Sequence, residues 1–91
     1  MVVIMYVIIV YDVNIEHVVK ICNYLRRYLS WVQNSVFEGE LTESQLMRIE
    51  NWLKETIDPN TDSIRIYIIR TKNEMKIKTL GLEKANLDII L

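Results

Sequence analysis

The 91-residue chain has one cysteine, one proline, two glycines and one histidine. Each scarcity excludes something. A lone Cys22 cannot form an intrachain disulfide, suits a reducing cytosol, and leaves no ligand set for zinc. Two glycines leave no glycine-rich phosphate loop. With so little glycine and proline and no low-complexity stretch there is no linker, so residues 1–91 are expected to form a single domain. Charge of one sign is missing too: 11 Lys and Arg stand against 12 Asp and Glu, a net −1. That is not the footprint of a strongly basic nucleic-acid binder. Contacts to nucleic acid would have to use local charges such as Lys20, Arg26, Arg27, Arg65, Arg70, Lys72, Lys76 and Lys78. The apolar run Met1–Tyr11 is far short of the roughly 20 residues that span a membrane. It has neither a basic leader nor a small-residue cleavage site. A cytoplasmic protein with no membrane partner is expected.

What is present is apolar residue, at 51% of the chain. A domain of this size buries only about 60–65% of its unfolded surface. The excess calls for a second copy as cover, so a homodimer is expected. Val2–Tyr11 is dense in β-branched residues and apolar on both faces, which marks a central strand. Asn14 can cap a first helix, with Val18, Ile21, Leu25 and Tyr28 as its inner stripe. Trp31–Gln33 and Val36–Leu41 read as two strands around an Asn34-Ser35 turn, or as one bent strand. Thr42-Glu43-Ser44-Gln45 is a capping box that opens a second helix with Leu46, Ile49, Leu53 and Ile57 inward. Asp58–Asp62 reads as a surface loop after that helix stops before Pro59. Ser63–Arg70 and Met75–Leu80 are strands, the second ended by Gly81. Leu87, Ile89, Ile90 and Leu91 are too apolar to stand alone, and the segment from about 75 to 91 is expected to pack on the partner subunit. The order matches the split βαβ, ferredoxin-like α+β plan with an extra C-terminal strand, a plan that does not dictate activity.

Few residues offer chemistry. Asp12 ends the first strand, a place where binding sites gather in open sheets; it can equally help to cap the following helix. One carboxylate is a poor magnesium site, whereas two copies meeting at a dimer axis can share one ion. His17 reads as a nuclease base or as a solvated, phosphate-facing side chain. Ser35 has no histidine–acid pair to activate it and suits a turn. Phe37 reads either as a base-stacking ring or as core. Arg26 and Arg27 can hold phosphates or simply suit a helix end. Glu38, Glu40 and Glu43 form an acidic cluster, solvated or facing a basic partner.

Tyr11-Asp12-Val13 after an aliphatic strand, Leu25-Arg26-Arg27-Tyr28-Leu29 in the first helix, and the run Val32-Gln33-Asn34-Ser35-Val36-Phe37-Glu38-Gly39-Glu40-Leu41 together resemble the CRISPR-associated protein 2 family. The likeness covers nearly the whole chain. It implies a ferredoxin-like homodimer whose final strand adds to the partner's sheet. It also implies a metal-dependent endonuclease acting on RNA or DNA, with Mg²⁺ (or Mn²⁺) on Asp12. A role in spacer acquisition beside the CRISPR integrase, CRISPR-associated protein 1, follows from the same likeness. Ser35 and Phe37 match the family's signature positions. Tyr11, His17, Lys20, Arg26, Arg27, Ser35 and Phe37 are the candidate nucleic-acid contacts. Two departures remove phosphate-binding charge: Trp31 precedes the Val-Gln where many members have arginine, and His17, Val18 and Val19 stand where several have arginines. Alternative expectations are a non-catalytic DNA scaffold bridging integrase dimers and a cytotoxic ribonuclease.

Overall fold

The computed structural model describes residues 3–71 and 74–82. Its elements, in chain order, are β1 (Ile4–Asp12), α1 (Ile15–Leu25), β2 (Ser30–Gln33), β3 (Val36–Thr42), α2 (Glu43–Thr56), β4 (Ser63–Thr71) and β5 (Glu74–Gly81). The strands form one sheet in the order β2-β3-β1-β4-β5, with every neighbouring pair antiparallel. β3 is inserted between β1 and β2, which splits the first βαβ unit. The fold is therefore α+β and ferredoxin-like, with β5 added beyond β4.

β1 is central because its side chains can be covered on both sides. Met5, Val7, Ile9 and Tyr11 are buried in one core with Ile21 and Leu25 of α1 and Ile49 and Leu53 of α2. The alternate residues Ile4, Tyr6, Ile8 and Val10 are exposed or half-buried. They share the second face with Tyr67 and Ile69 of β4 and, through the β4–β5 register, with Met75 and Ile77. Both helices lie on the first face, so the second is an open sheet surface, apolar along β1 and β5 and carrying Glu38 and Glu40 of β3 and Arg65 of β4 beside β1.

α2 follows its sequence pattern closely, whereas α1 ends at Leu25 and leaves Arg26, Arg27, Tyr28 and Leu29, expected within it, in the turn that follows. Leu46, Ile49, Leu53 and Ile57 are all buried. Both arms of the capping box form: the Gln45 amide donates to Thr42 Oγ1 at 3.2 Å and the Thr42 amide donates to Gln45 Oε1 at 2.9 Å. In α1, Ile21 and Leu25 are buried as expected, and Tyr24 joins them by stacking on Trp52 of α2 at 3.8 Å between ring centroids. Asn14 occupies the N-cap position but its side chain makes no capping bond. Its Nδ2 donates instead to Thr61 Oγ1 at 2.8 Å.

Of the two readings of Trp31–Leu41, the hairpin is found. Asn34 takes a left-handed conformation (φ 45°) between β2 and β3, which asparagine tolerates better than most residues. Trp31 Nε1 donates to the Asn34 carbonyl at 2.9 Å and closes the turn. β5 pairs along its length with β4 of its own chain. Leu87, Ile89, Ile90 and Leu91, with the rest of 83–91, lie outside the described residues.

β5 is anchored where it ends. Gly81 has φ 81°, and a Cβ there would meet the Asp62 carbonyl oxygen at 2.1 Å. The next amide, of Leu82, donates to that same oxygen at 2.7 Å. Gly81→Ala is expected to cost at least about 2 kcal/mol, through backbone strain plus the clash. Thr42→Ala should cost about 1 kcal/mol through the lost cap. Equilibrium urea unfolding of both variants checks this order.

Candidate active site

Asp12 is the last residue of β1 and lies opposite Ser63 of β4. On its other side the Tyr11 amide donates to the Ser35 carbonyl at 3.0 Å. This bond draws the Asn34-Ser35 turn alongside the end of β1. The result is an open cavity of about 550 Å³ on the helix-free face of the sheet. Ile8, Val10, Val36 and Met75 form its apolar wall; Asp12, Gln33, Asn34 and Ser35 bring its oxygen and amide groups. Tyr67 also lines it, and its buried hydroxyl has no hydrogen-bond partner among the described residues.

The turn after Asp12 is held from behind by Asp62, whose side chain is wholly buried. Oδ1 accepts the Asn14 amide at 2.8 Å. Oδ2 accepts the Asp58 amide at 2.9 Å and the His17 Nδ1–H at 2.7 Å. Burial opposes the charge on this carboxyl, but the Asp58 and Asn14 amides and the His17 ring outweigh it and hold its pKa below the ordinary value.

The candidates named from sequence separate accordingly. Asp12 and Ser35 come together in the cavity. Phe37 does not reach it: the ring is fully buried and packs near Tyr11, 6.1 Å between centroids, so the base-stacking reading is corrected to core. Tyr11 lines the cavity, but its ring is turned into the core beside Phe37. Its side chain is 4% exposed, and burial with the neighbouring Cys22 pushes the phenol up to about 12. His17 is half-buried rather than solvated, and its Nδ1 is committed to Asp62; that bond fixes the ring and does not remove the Nε2 lone pair as a base. Lys20, Arg26 and Arg27 are exposed on and just after α1, on the helix side of the sheet, whereas Asp12 follows the open face. Arg27 sits 5.8 Å above the Tyr24 ring. Arg70 and Lys78 are paired with Glu43 and Glu50. Within the acidic cluster, Glu38 takes the phenol of Tyr6 and so raises the tyrosine's pKa.

Two residues were not foreseen. Asp62 belongs to a stretch read as a surface loop, yet it is buried because its partners Asn14 and His17 arrive from 48 and 45 residues away. No local pattern announces such a contact. Tyr67 was visible only as one position of an alternating strand. No group of three or more His, Cys, Asp or Glu able to hold a metal occurs among the described residues. Among the described residues this cavity offers a divalent ion the Asp12 carboxylate, with the neutral oxygens of Gln33, Asn34 and Ser35 beside it.

The family model described as CRISPR associated protein Cas2 matches residues 5–77. The chain belongs to the Cas2 family. It is 55% identical over 91 residues, all of both chains, to a protein of Methanothermobacter thermautotrophicus named CRISPR-associated endoribonuclease Cas2. It is 47% identical over 87 residues to a protein of that name in Pyrococcus furiosus, covering 96% of this chain and all of the relative. A solved structure described as a crystal structure of cas2 superposes with a TM-score of 0.72 at 45% identity, covering 92% of this chain and 94% of the other. In this Cas2-family chain most of the signature run is architectural. Ser35 offers its carbonyl to β1 and Phe37 fills the core. Gly39 lets Leu29 pack closely, since a Cβ there would lie 3.1 Å from its Cδ2.

The Asp62 cluster sets a pH dependence. A carboxyl whose folded pKa is depressed stabilises the fold above its unfolded value of 3.8, and that stability is lost as pH falls through the folded pKa. Thermal unfolding followed from pH about 6 to about 2 should show a steepening loss below about 4. Asp62→Asn should be less stable at the upper end and flatter across that acid window.

Proposed function

We propose that this protein is a metal-dependent endonuclease of CRISPR spacer acquisition that hydrolyses phosphodiester bonds of RNA or DNA, with Asp12 as the residue that carries the activity. The observation behind this reading is the Asp12 carboxylate at the polar end of an open cavity, beside Gln33, Asn34 and Ser35. The relatives' name, CRISPR-associated endoribonuclease, favours RNA.

A carboxylate repels a phosphodiester, so the charge of Asp12 works against substrate binding. A divalent ion reverses that sign. Mg²⁺ suits oxygen donors and tolerates retained waters, and Mn²⁺ can stand in. Asp12 from each of two copies would hold it; when bound, it supplies charge neutralisation at the phosphate and acidifies water. The chain's own groups do the rest. The Ser35 hydroxyl and the Asn34 and Gln33 amides are donors suited to non-bridging phosphate oxygens. Hydrolysis adds water to phosphorus, breaks one P–O ester bond, and returns a proton to the departing oxygen.

The second copy follows from the open sheet face. Ile4, Tyr6, Met75 and Ile77 are 55%, 38%, 57% and 49% exposed on one surface, an apolar patch that a homodimer would cover. An isologous two-fold contact across it also doubles every residue of the cavity, Asp12 included.

A second reading rests on a different observation. Lys20, Arg26 and Arg27 are exposed on the helix side, away from the face that Asp12 follows. Phosphates held there would lie across the back of the dimer. This suits a scaffold that spans duplex DNA between dimers of the CRISPR integrase without cutting it.

Labelled single-stranded RNA and duplex DNA, incubated with Mg²⁺, Mn²⁺ or chelator, test the first reading. Cleavage should need metal and fall at least about 100-fold in Asp12→Ala. Metal-independent cleavage, or equal cleavage by the variant, sinks it. No cleavage by wild type, with duplex binding retained by both proteins, favours the scaffold. Ile8→Lys places a charge in the open face and should yield monomers in sedimentation at micromolar protein.

A further inference from the structure

Asp62 is a buried carboxylate with no place in the reaction proposed above, and it is far more heavily bonded than a loop closure requires. Its two side-chain oxygens accept three N–H donors, from Asn14, Asp58 and His17. Its carbonyl accepts the Leu82 amide at the end of β5. Asn14 is held a second time, through its side chain on Thr61. Asn14 lies two residues after Asp12, in the short connection between β1 and α1. Asp12 is thus fixed on one flank by the Tyr11–Ser35 bond and on the other by whatever holds Asn14.

We propose that Asp62, oriented by His17, is a positioning residue: it fixes the turn from β1 into α1 and with it the direction in which Asp12 presents its carboxylate. The inference rests on the reading of Asp12 as the residue that carries cleavage. Its chemical logic is donor counting. Three N–H groups converge on two oxygens, a demand only a carboxylate meets. An asparagine of the same shape has one oxygen and must set its own NH₂ against a donor. The Asn14 amide, the Asp58 amide or the His17 ring then loses its partner, and the turn loosens with little change in volume.

The test uses the intact dimer of wild type, Asp12→Ala, Asp62→Asn, His17→Ala and the core control Ile49→Val. Ile49 is buried in α2 and has no bond to this cluster. Amide hydrogen exchange at Asn14 is read without metal, and kcat and KM for RNA cleavage with it. Asp62→Asn is expected to lose protection at Asn14 and to lower kcat about 100-fold, with KM within about twofold. His17→Ala, the milder variant should Asp62→Asn fail to fold, should lower kcat about 10-fold in the same pattern. Ile49→Val should keep both protection and kcat. Wild-type kcat in His17→Ala, or in a folded Asp62→Asn, while Asp12→Ala is inactive overturns this proposal alone; so does an equal loss in Ile49→Val. Cleavage that survives Asp12→Ala, or its absence in wild type, overturns the reading of Asp12 and this proposal with it.

Discussion

A nine-residue strand that is apolar on both faces must be covered twice, and the rest of the molecule is arranged around that need. The two helices cover Met5, Val7, Ile9 and Tyr11. Their packing sets β1 at the centre of the sheet and leaves Ile4, Tyr6, Ile8 and Val10 on the side without helices. Alternation then decides what happens at the strand's end. Tyr11 turns into the core and Asp12 follows the open face. One residue of register would exchange them, burying the carboxylate and exposing the phenol. The position of the candidate site is thus a by-product of how β1 is packed.

Features with local periodicity were legible in the sequence. The inner stripe of α2 and its capping box form as their spacing demands, because helix caps and apolar stripes are decided within a few residues. The split βαβ order was equally readable. Where two patterns competed, as in Trp31–Leu41, only the left-handed Asn34 and its Trp31 bond resolve the turn. Contacts between distant residues were not readable. Nothing near Asp62 signals that Asn14 and His17 will come to it, and an acid in a Pro-Asn-Thr stretch looks solvated. Phe37 shows a different limit: its residue type suits both base stacking and core, and only its complete burial decides for the core.

The same observations separate what the Cas2-family signature does from what the reaction needs. Ser35, Phe37 and Gly39 each make a packing or backbone contact that holds β3 to β1 or to the segment after α1. Asp12 is the carboxylate these contacts leave at the cavity. Within one chain the cavity sets neutral oxygens and apolar walls beside it, and Arg65 lines a second, smaller pocket with it. A two-fold axis through the open face would enrich them, because every residue there would appear twice. The proposed dimer and the proposed activity would thus share one sheet surface. The basic residues of α1 lie outside that link, which is why binding and cleavage can be separable properties.

The number of metal ions bound per chain tests the proposed shared site most directly. Mn²⁺ bound to the purified protein can be counted by electron paramagnetic resonance titration, with Asp12→Ala alongside. One tight ion per two chains, absent in Asp12→Ala, is the predicted result, since a shared site needs a carboxylate from each copy. One ion per chain, or binding unchanged in Asp12→Ala, would contradict the shared site at the two-fold axis.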